Sequence, residues 1–498
     1  MHEKNIKRLV VKELKEQNPF WNRLTKKEKR KISNEVLKEV MKEYSFEEDL
    51  SIPLNELTGT PSVPEGIMSL KEMEEFIRKK SCQILDLDDY RRKKKYLSDP
   101  ELRAIDAILD DEIITSILAP AGYTPSKRVL FPSHYLRAEI LKSLTYSEWS
   151  YRKFCKKVIN DLNKKEERVF MGLPLHRKVV ISHGQMSQFR SQLEFYQMVN
   201  LLVYVIHLLV KHRQIPNPFK LCGVDSTDIA VPCCPVPLAK ITIGNKKVRI
   251  YSELSADCGK RRKKRNKSEY FVGYRLHTLI AINPNSGQNY PLISLVAPAN
   301  HHDKLFLPQL LAFASAIGLD IKVITADEGY IDVKQNEKIN QDYGIKVITT
   351  PGQNVNIPQW VDETTRQVYC NELCENPMEY TGRTEKGHEF KCGGEKEGCF
   401  YSTFCPQFRE VPLDSGHFGQ IADCVAGVEK VRNIRKHLER VFNLAKHREG
   451  LEYLRVTKQH SVTAISTFSH ITTLLLEITG TRKTSKIKEE KQKSPIAA

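Results

Sequence analysis

No run in this 498-residue chain is long and apolar enough to cross a bilayer. The longest, Met198–Val210, is about 13 residues and is broken by His207, whereas a span needs about 20. Val462–Ile478 carries His470, Glu477 and several Thr and Ser residues, which fits a buried core helix better than a span. The first residues, M-H-E-K-N-I-K-R, lack the apolar stretch of a secretory signal. A cytoplasmic protein is therefore expected, with its twelve cysteines reduced or metal-bound and not bridged. Acidic residues are also short: 61 Asp plus Glu stand against 78 Lys plus Arg, a net charge of +17 with a pI near 9.2. That excess favours a polyanionic partner, nucleic acid first, although ribosomal and membrane-surface proteins share it. The length exceeds what one core fills and predicts two to four domains.

The informative stretch is V-R-N-I-R-K-H-L-E-R-V-F-N-L-A-K, Val431 to Lys446. Wound at about 100° per residue, it places Arg432, Arg435, Glu439 and Lys446 within one arc of roughly 60°. Val431, Ile434, Leu438, Val441, Phe442 and Ala445 fill the neighbouring arc. One stripe packs on a core, and the next presents one carboxylate among three cations. A solvated mixed-charge face is the plain alternative. The other reading is a metal-bound phosphate site, in which the acid holds a divalent cation and the cations hold phosphodiester oxygens. Two segments favour it. Leu221–Val224 is a short apolar run that delivers Asp225 to the end of a buried strand, and Val323-Ile324 leads to Asp327, with Gly329 for the turn. An aspartate at a strand end is often only a turn former. Two such aspartates with a helical glutamate can instead bind two hard cations for in-line attack at phosphorus.

At these residues the chain resembles a DDE transposase of bacterial insertion sequences, the group with a C-terminal Tyr-x2-Arg-x3-Glu-x6-Lys signature. Arg435, Glu439 and Lys446 match its spacing, and Arg432 departs from it at the Tyr position. Asp225-Ser226-Thr227 resembles the family's first aspartate motif and Asp327-Glu328-Gly329-Tyr330 its second. Between them, Gly273-Tyr274-Arg275-Leu276-His277 and Pro298-Ala299-Asn300-His301-His302-Asp303 resemble its G-Y-K-x-H strand and P-A-N-x-H-D turn. The order of the five blocks, across roughly Leu221 to Gly450, is more specific than any one of them. Tyr135–Arg190 resembles the helical region preceding the catalytic domain in such proteins. The resemblance implies a transposase performing metal-dependent DNA cleavage and strand transfer, with Asp225, Asp327 and Glu439 holding two Mg ions. It implies DNA partners, both element ends and target, and a homo-oligomer on DNA. Arg435 and Lys446 would grip phosphates, with Arg432 assisting. Asp228 and Glu328 adjoin the metal acids as competing candidates. A catalytically silent DNA-binding derivative and a nuclease without strand transfer are the alternatives.

The expected fold class is α/β: a ribonuclease H-like mixed sheet with flanking helices, preceded by an all-α N-terminal region and carrying a cysteine-rich insertion. Residues 1–130 read as helical, with charged helices over Met1–Tyr44 and Ser69–Tyr96, a Pro- and Gly-bearing linker at Ser51–Gly66, and a capping signature at Ser98-Asp99-Pro100-Glu101. Residues 131–218 are helical, with Ser147 and Ser182 as N-caps and DNA contact one possible role. The catalytic domain opens over 219–353, with strands at Ala239–Ile250, Tyr270–Asn283, Tyr290–Val296 and Ile321–Thr325 and a helix at Pro308–Ile317. Within it Gly259–Lys267 reads as an exposed loop. Its cations Lys260, Arg261, Arg262, Lys263, Lys264 and Arg265 would contact phosphates without reading bases. Residues 354–426 form the insertion, where Cys370, Cys374, Cys392, Cys399 and Cys405, with His388 nearby, suggest a zinc-stapled lobe or free thiols. Residues 427–480 return to the catalytic domain as helices, and 481–498 are a basic tail expected to be disordered.

Overall fold

Asp99 starts its helix as its residue type dictates: the carboxylate accepts from the Glu101 and Leu102 N–H groups, and Pro100 fills the first turn. The computed structural model describes residues 63–80, 87–119, 130–176, 181–213 and 219–480, apart from 235, 238, 244–245, 254, 263–267, 284–287, 331, 350–357, 363–364, 394–403, 413–421, 423–424, 426 and 449. The helix expected over Met1–Tyr44, most of the linker and the basic tail lie outside these residues. Ser69–Tyr96 is two helices, Leu70–Lys80 and Leu87–Tyr96. The first ends on Arg78, Lys79 and Lys80 and the second begins on Asp88 and Asp89, the charge order that suits a helix end followed by a helix start.

The helical region continues through Pro100–Ile108, Asp111–Leu118, α1 (Pro132–Thr145), a turn of helix at Tyr151–Phe154 and His183–Gln192 to α2 (Phe195–Arg213). Ser182 is the N-cap expected of it, and the structure adds a capping box with Gln185. Ser150, and not Ser147, caps the helix at Tyr151, because its hydroxyl reaches the Lys153 N–H at 3.2 Å.

The main sheet has six strands. β1 (Leu221–Ala230) lies at its centre. A separate two-stranded sheet, β2 (Ala239–Ile243) with β3 (Lys246–Ile250), stands apart from it, so the expected Ala239–Ile250 strands are not part of the meander. β4 (Asp257–Arg262), β5 (Ser268–Ile282) and β6 (Asn289–Pro298) are antiparallel: β5 pairs β1 on one edge, and β4 and then β6 on the other. After α3 (Phe306–Ala316) comes β7 (Val323–Ala326), and after α4 (Val333–Tyr343) comes β8 (Lys346–Thr349). β1, β7 and β8 run parallel, as helical crossovers require. The insertion holds a three-stranded sheet, β9 (Glu379–Arg383), β10 (Gly387–Lys391) and β11 (Phe408–Pro412), with its own apolar cluster around Val361, Val368, Phe390 and Val411.

Among the described residues three α-helices follow: α5 (Val428–Ile434), α6 (Glu439–Asn443) and α7 (Gln459–Thr479). α7 has the length and composition of a membrane span, and 83% of its apolar window is buried inside the protein. It packs against α1, α2 and β6, tying the helical region to the sheet. Its His470 hydrogen-bonds Ser294 of β6 at 2.9 Å, and its Gln459 amide donates to the Val296 carbonyl at 2.7 Å.

Candidate functional site

β1 does not stop at Asp225; it runs on through it to Ala230, paired with β5 throughout. What ends there is the parallel ladder to β7, whose last pair is Val224 with Ala326. The next residues, Asp225 and Asp327, leave that ladder side by side on strands about 4.8 Å apart. Each carboxylate accepts from the N–H of the residue after it: Ser226 donates to Asp225 at 2.8 Å, and Glu328 to Asp327 at 2.7 Å.

The third acid arrives from above. Leu438, Val441 and Phe442 are buried against Ile280 and Ile282 of β5, with Ile434 and Leu221 at the margin. Each such side chain contributes about 1.5–3 kcal/mol when fully buried. This apolar face seats the Val431–Lys446 segment over β1 and β5. The segment is not one regular helix. Between α5 and α6, Arg435–His437 is a 3-10 turn, and Leu444–Arg448 is a π turn. Three residues of 3-10 winding rotate what precedes them by about 60° relative to an α-helix. Arg435 reaches Asp327, Glu439 bears on the charge of Asp225, and Lys446 lines the cavity beside both aspartates; Arg432 is not among the lining residues.

The Arg435 guanidinium lies 3.6 Å from Asp327. Burial pushes the Asp225 carboxyl up to about 6, and the like charges of Asp327 and Glu439 push the same way, against the Ser226 N–H and Arg435. Among the described residues, no three His, Cys, Asp or Glu side chains are grouped so as to hold a metal ion. Asp225, Ser226, Thr227, Asp228, Arg275, Asp303, Asp327, Asn443, Lys446, His447 and Glu452 line one open cavity of about 510 Å³. Glu439 acts on the charge of Asp225 but is not among the lining residues.

The remaining blocks meet at the same place. Arg275 on β5 stands opposite Asp228 on β1 and contacts it at 3.4 Å; it also holds Asp303 at 3.0 Å. Gly329 is small because Asp303 lies against it: a Cβ there would meet the carboxylate at 2.9 Å. His277 is fully buried, stacked on Phe306 and hydrogen-bonded to the Tyr330 hydroxyl at 3.0 Å. Burial, aided by Arg275 and His301, pulls its imidazole down to about 3, so it is neutral. The Tyr330 hydroxyl in turn reaches Ser226, beside Asp225, and its burial with Asp303 and Asp225 nearby keeps it protonated.

Asp303, Arg275, Asn443, His447 and Glu452 had no site role in the sequence reading. For Asn443 and His447 a signal existed, since they follow Glu439 at steps of four. The pairing of Arg275 with Asp228 depends on strand register and left no local trace. Of the competing candidates, Asp228 lines the cavity and is paired with Arg275, and Glu328, like Glu439, is not among the lining residues.

Lys260, Arg261 and Arg262 belong to strand β4, so the basic run is not a loop from Gly259 onward; Lys263, Lys264 and Arg265 lie outside the described residues. Lys260 is exposed and stands across from Tyr270, itself 64% exposed. In the insertion, Cys370 is buried, with the Cys374 and Cys405 thiols in hydrogen-bonding contact and Cys392 nearby; burial first, then these neighbours, push its thiol up. Asn371 donates to the Cys405 sulfur at 2.7 Å. His388 is turned to the Tyr380 hydroxyl at 3.2 Å, and Cys399 lies outside the described residues.

No family model matches the chain, and no curated protein matches it. Three chains of solved structures match. One comes from a cryo-EM structure of a piggyBac transposase synaptic complex with hairpin DNA, at 8% identity over 82% of this chain and 82% of that one, with a TM-score of 0.29.

Proposed function

We propose that the chain is a DDE transposase that cleaves and joins DNA by phosphoryl transfer, on a ribonuclease H-like sheet. The observation that carries this is convergence. The four blocks Asp225–Thr227, Gly273–His277, Pro298–Asp303 and Asp327–Tyr330, and the Arg435–Lys446 segment, lie far apart in sequence. They contact one another around a single cavity. A plain charged surface would not require that.

The donor chemistry there suits a hard divalent cation: carboxylate oxygens, one of them on an aspartate whose anion is penalised by burial and by two further acids. Asp225, Asp327 and Glu439 are the residues that would hold magnesium, which when bound supplies Lewis acidity and charge neutralisation for attack at phosphorus. The chain's own groups position and neutralise. Arg435 and Lys446 supply cationic side chains for the phosphate oxygens. Arg275, clamped by Asp228 and Asp303, fixes the cavity wall. In the reaction an oxygen of water, or a DNA 3′-hydroxyl, bonds to phosphorus. The attacking oxygen gives up its proton, the P–O bond to the leaving strand breaks with its electron pair going to the leaving oxygen, and that oxygen takes up a proton, so that atoms and charge balance.

The test uses duplex DNA from either side of the gene, with magnesium or manganese, read by end-labelled cleavage and by joining to a plasmid. Wild type should cut and join. Asp225→Asn, Asp327→Asn and Glu439→Gln should each lose cleavage by three orders of magnitude or more, on the order of the loss of an essential catalytic group, while retaining DNA affinity. Cutting without joining would favour the nuclease reading. Binding without cutting by wild type would favour the silent derivative.

A further inference from the structure

We infer that Gly223 is a positioning residue for Glu439: the bare backbone of β1 at Gly223 is the socket for Leu438, and this contact sets how close the glutamate comes to Asp225. The inference rests on the proposed function for its catalytic consequence, but not for its geometry.

Glycine in a strand interior weakens the strand and needs a reason. Conformation is not the reason here. Gly223 is not among the positive-φ glycines, and it pairs regularly with Ile280 on one side and Thr325 on the other. Space is the reason. A Cβ at Gly223 would lie 2.8 Å from Leu438 Cδ2 and 3.1 Å from its Cγ, and closer still to Cδ1. Carbon atoms rest about 3.5–4.0 Å apart, so roughly 1 Å of movement would be forced. The leucine cannot absorb it by swinging outward. It is fully buried among Ile280, Ile282, Val441 and Phe442.

The residue before it is pinned as well. The Asn289 side chain, buried at the start of β6, donates to the His437 carbonyl at 2.9 Å. So the sheet grips His437 by a hydrogen bond and Leu438 by a socket, immediately before Glu439. The socket is two residues before Asp225 on the same strand, and its β7 neighbour Thr325 is two residues before Asp327. One short stretch of sheet therefore fixes all three acids relative to one another. A 1 Å misplacement of a catalytic group can lower a rate about 100-fold.

The experiment compares Gly223→Ala, Leu438→Ala and the double variant, each assayed well below its melting temperature. Gly223→Ala should cleave about 100-fold more slowly at saturating DNA, with unchanged DNA affinity and faster hydrogen exchange at the Glu439–Asn443 amides. The double variant, whose shortened side chain leaves room for the added methyl, should recover to within about tenfold of Leu438→Ala. A folded Gly223→Ala that cuts at the wild-type rate would overturn the inference, as would a slow variant that the second substitution does not rescue. If Gly223→Ala does not fold, Asn289→Ala replaces it, with a slower rate and unchanged affinity expected. If wild type cuts no DNA, the proposed function fails, and melting decides the socket alone: the double variant should lose less than the sum of the single losses, and strict additivity would reject it.

Discussion

Arg137 on α1 and Asp225 on β1 are both taken out of water, with opposite company. Arg137 is 1% exposed, and its guanidinium donates to Asp106 and to Asp111, each at 2.7 Å, and to the Phe170 carbonyl at 3.1 Å. Nearby, Glu139 accepts from Arg190 at 2.6 Å and from the Tyr151 hydroxyl at 2.7 Å. Every one of these charges meets its opposite. Asp225 faces Asp327 and Glu439, with Arg435 as the opposing cation. The helical region buries charge in neutralised sets, which hold the fold. At the sheet, the buried Asp225 carboxyl stands among like charges, Asp327 and Glu439, which oppose its ionisation. Strain of that kind collects at functional sites.

The largest effect should come from breaking a neutralised set. Arg137→Met leaves Asp106 and the Phe170 carbonyl without their guanidinium, and removing one partner of a buried pair costs about 3–5 kcal/mol. Urea unfolding should report a loss of that size. A loss under about 1 kcal/mol would mean that the helical region does not depend on this pairing, and the comparison would collapse on that side.

Asp225→Asn should do the reverse, and pH gives the sign. The ordinary carboxyl value is 3.8 and burial raises it to about 6 in the fold. The folded state therefore holds this proton more tightly than the unfolded state. Its stabilising effect is complete below about pH 3.8 and is lost as pH rises through 6. At pH 7.5 the buried anion opposes folding by up to about 3 kcal/mol, with Asp327, Glu439 and Arg435 as the charged groups facing it. In chelator, Asp225→Asn should melt above wild type at pH 7.5, and the gap should close toward pH 4. A variant no more stable than wild type at pH 7.5 would show that Asp225 is not strained.

These two regions were unequally legible. Val323–Ile324 announced a strand ending at Asp327 because a short apolar run into an acid is a local pattern; Leu221–Val224 announced β1 but not its course past Asp225 to Ala230. Ser182 announced a helix start for the same reason, although its partner Gln185 was not foreseen. What failed was set by contacts distant in sequence. The Arg275 clamp between Asp228 and Asp303 depends on the β1–β5 register. The 3-10 and π turns on either side of Glu439 interrupt the single regular helix on which the arc was drawn, and they accompany the seating of Leu438 and Phe442 on the sheet. β2 and β3 have strand composition but, among the described residues, pair with each other and not with the main sheet, which no propensity foretells. The buried Arg137 set was missed altogether, since an arginine in a helix reads as surface until its carboxylates are found on other helices.

The smallest effect separates committed cations from exposed ones. Lys93 lies 3.1 Å from Asp89 and 3.0 Å from Asp106, inside the neutralised set of the helical region. Lys260 stands exposed on β4, across from Tyr270 and next to further cations in the sequence. If DNA is the partner, only the second kind of cation releases counterions on binding. Each phosphate neutralised contributes roughly one unit to the slope of log affinity against log salt. Lys260→Gln should therefore shrink that slope by about one and weaken binding equally on unrelated sequences, because phosphate contacts carry no base information. Lys93→Gln should leave the slope unchanged, whatever it does to stability. A titration of both variants at two salt concentrations decides. Equal slopes would mean that β4 takes no part in DNA contact, and that the chain's excess of +17 is spent on some other surface.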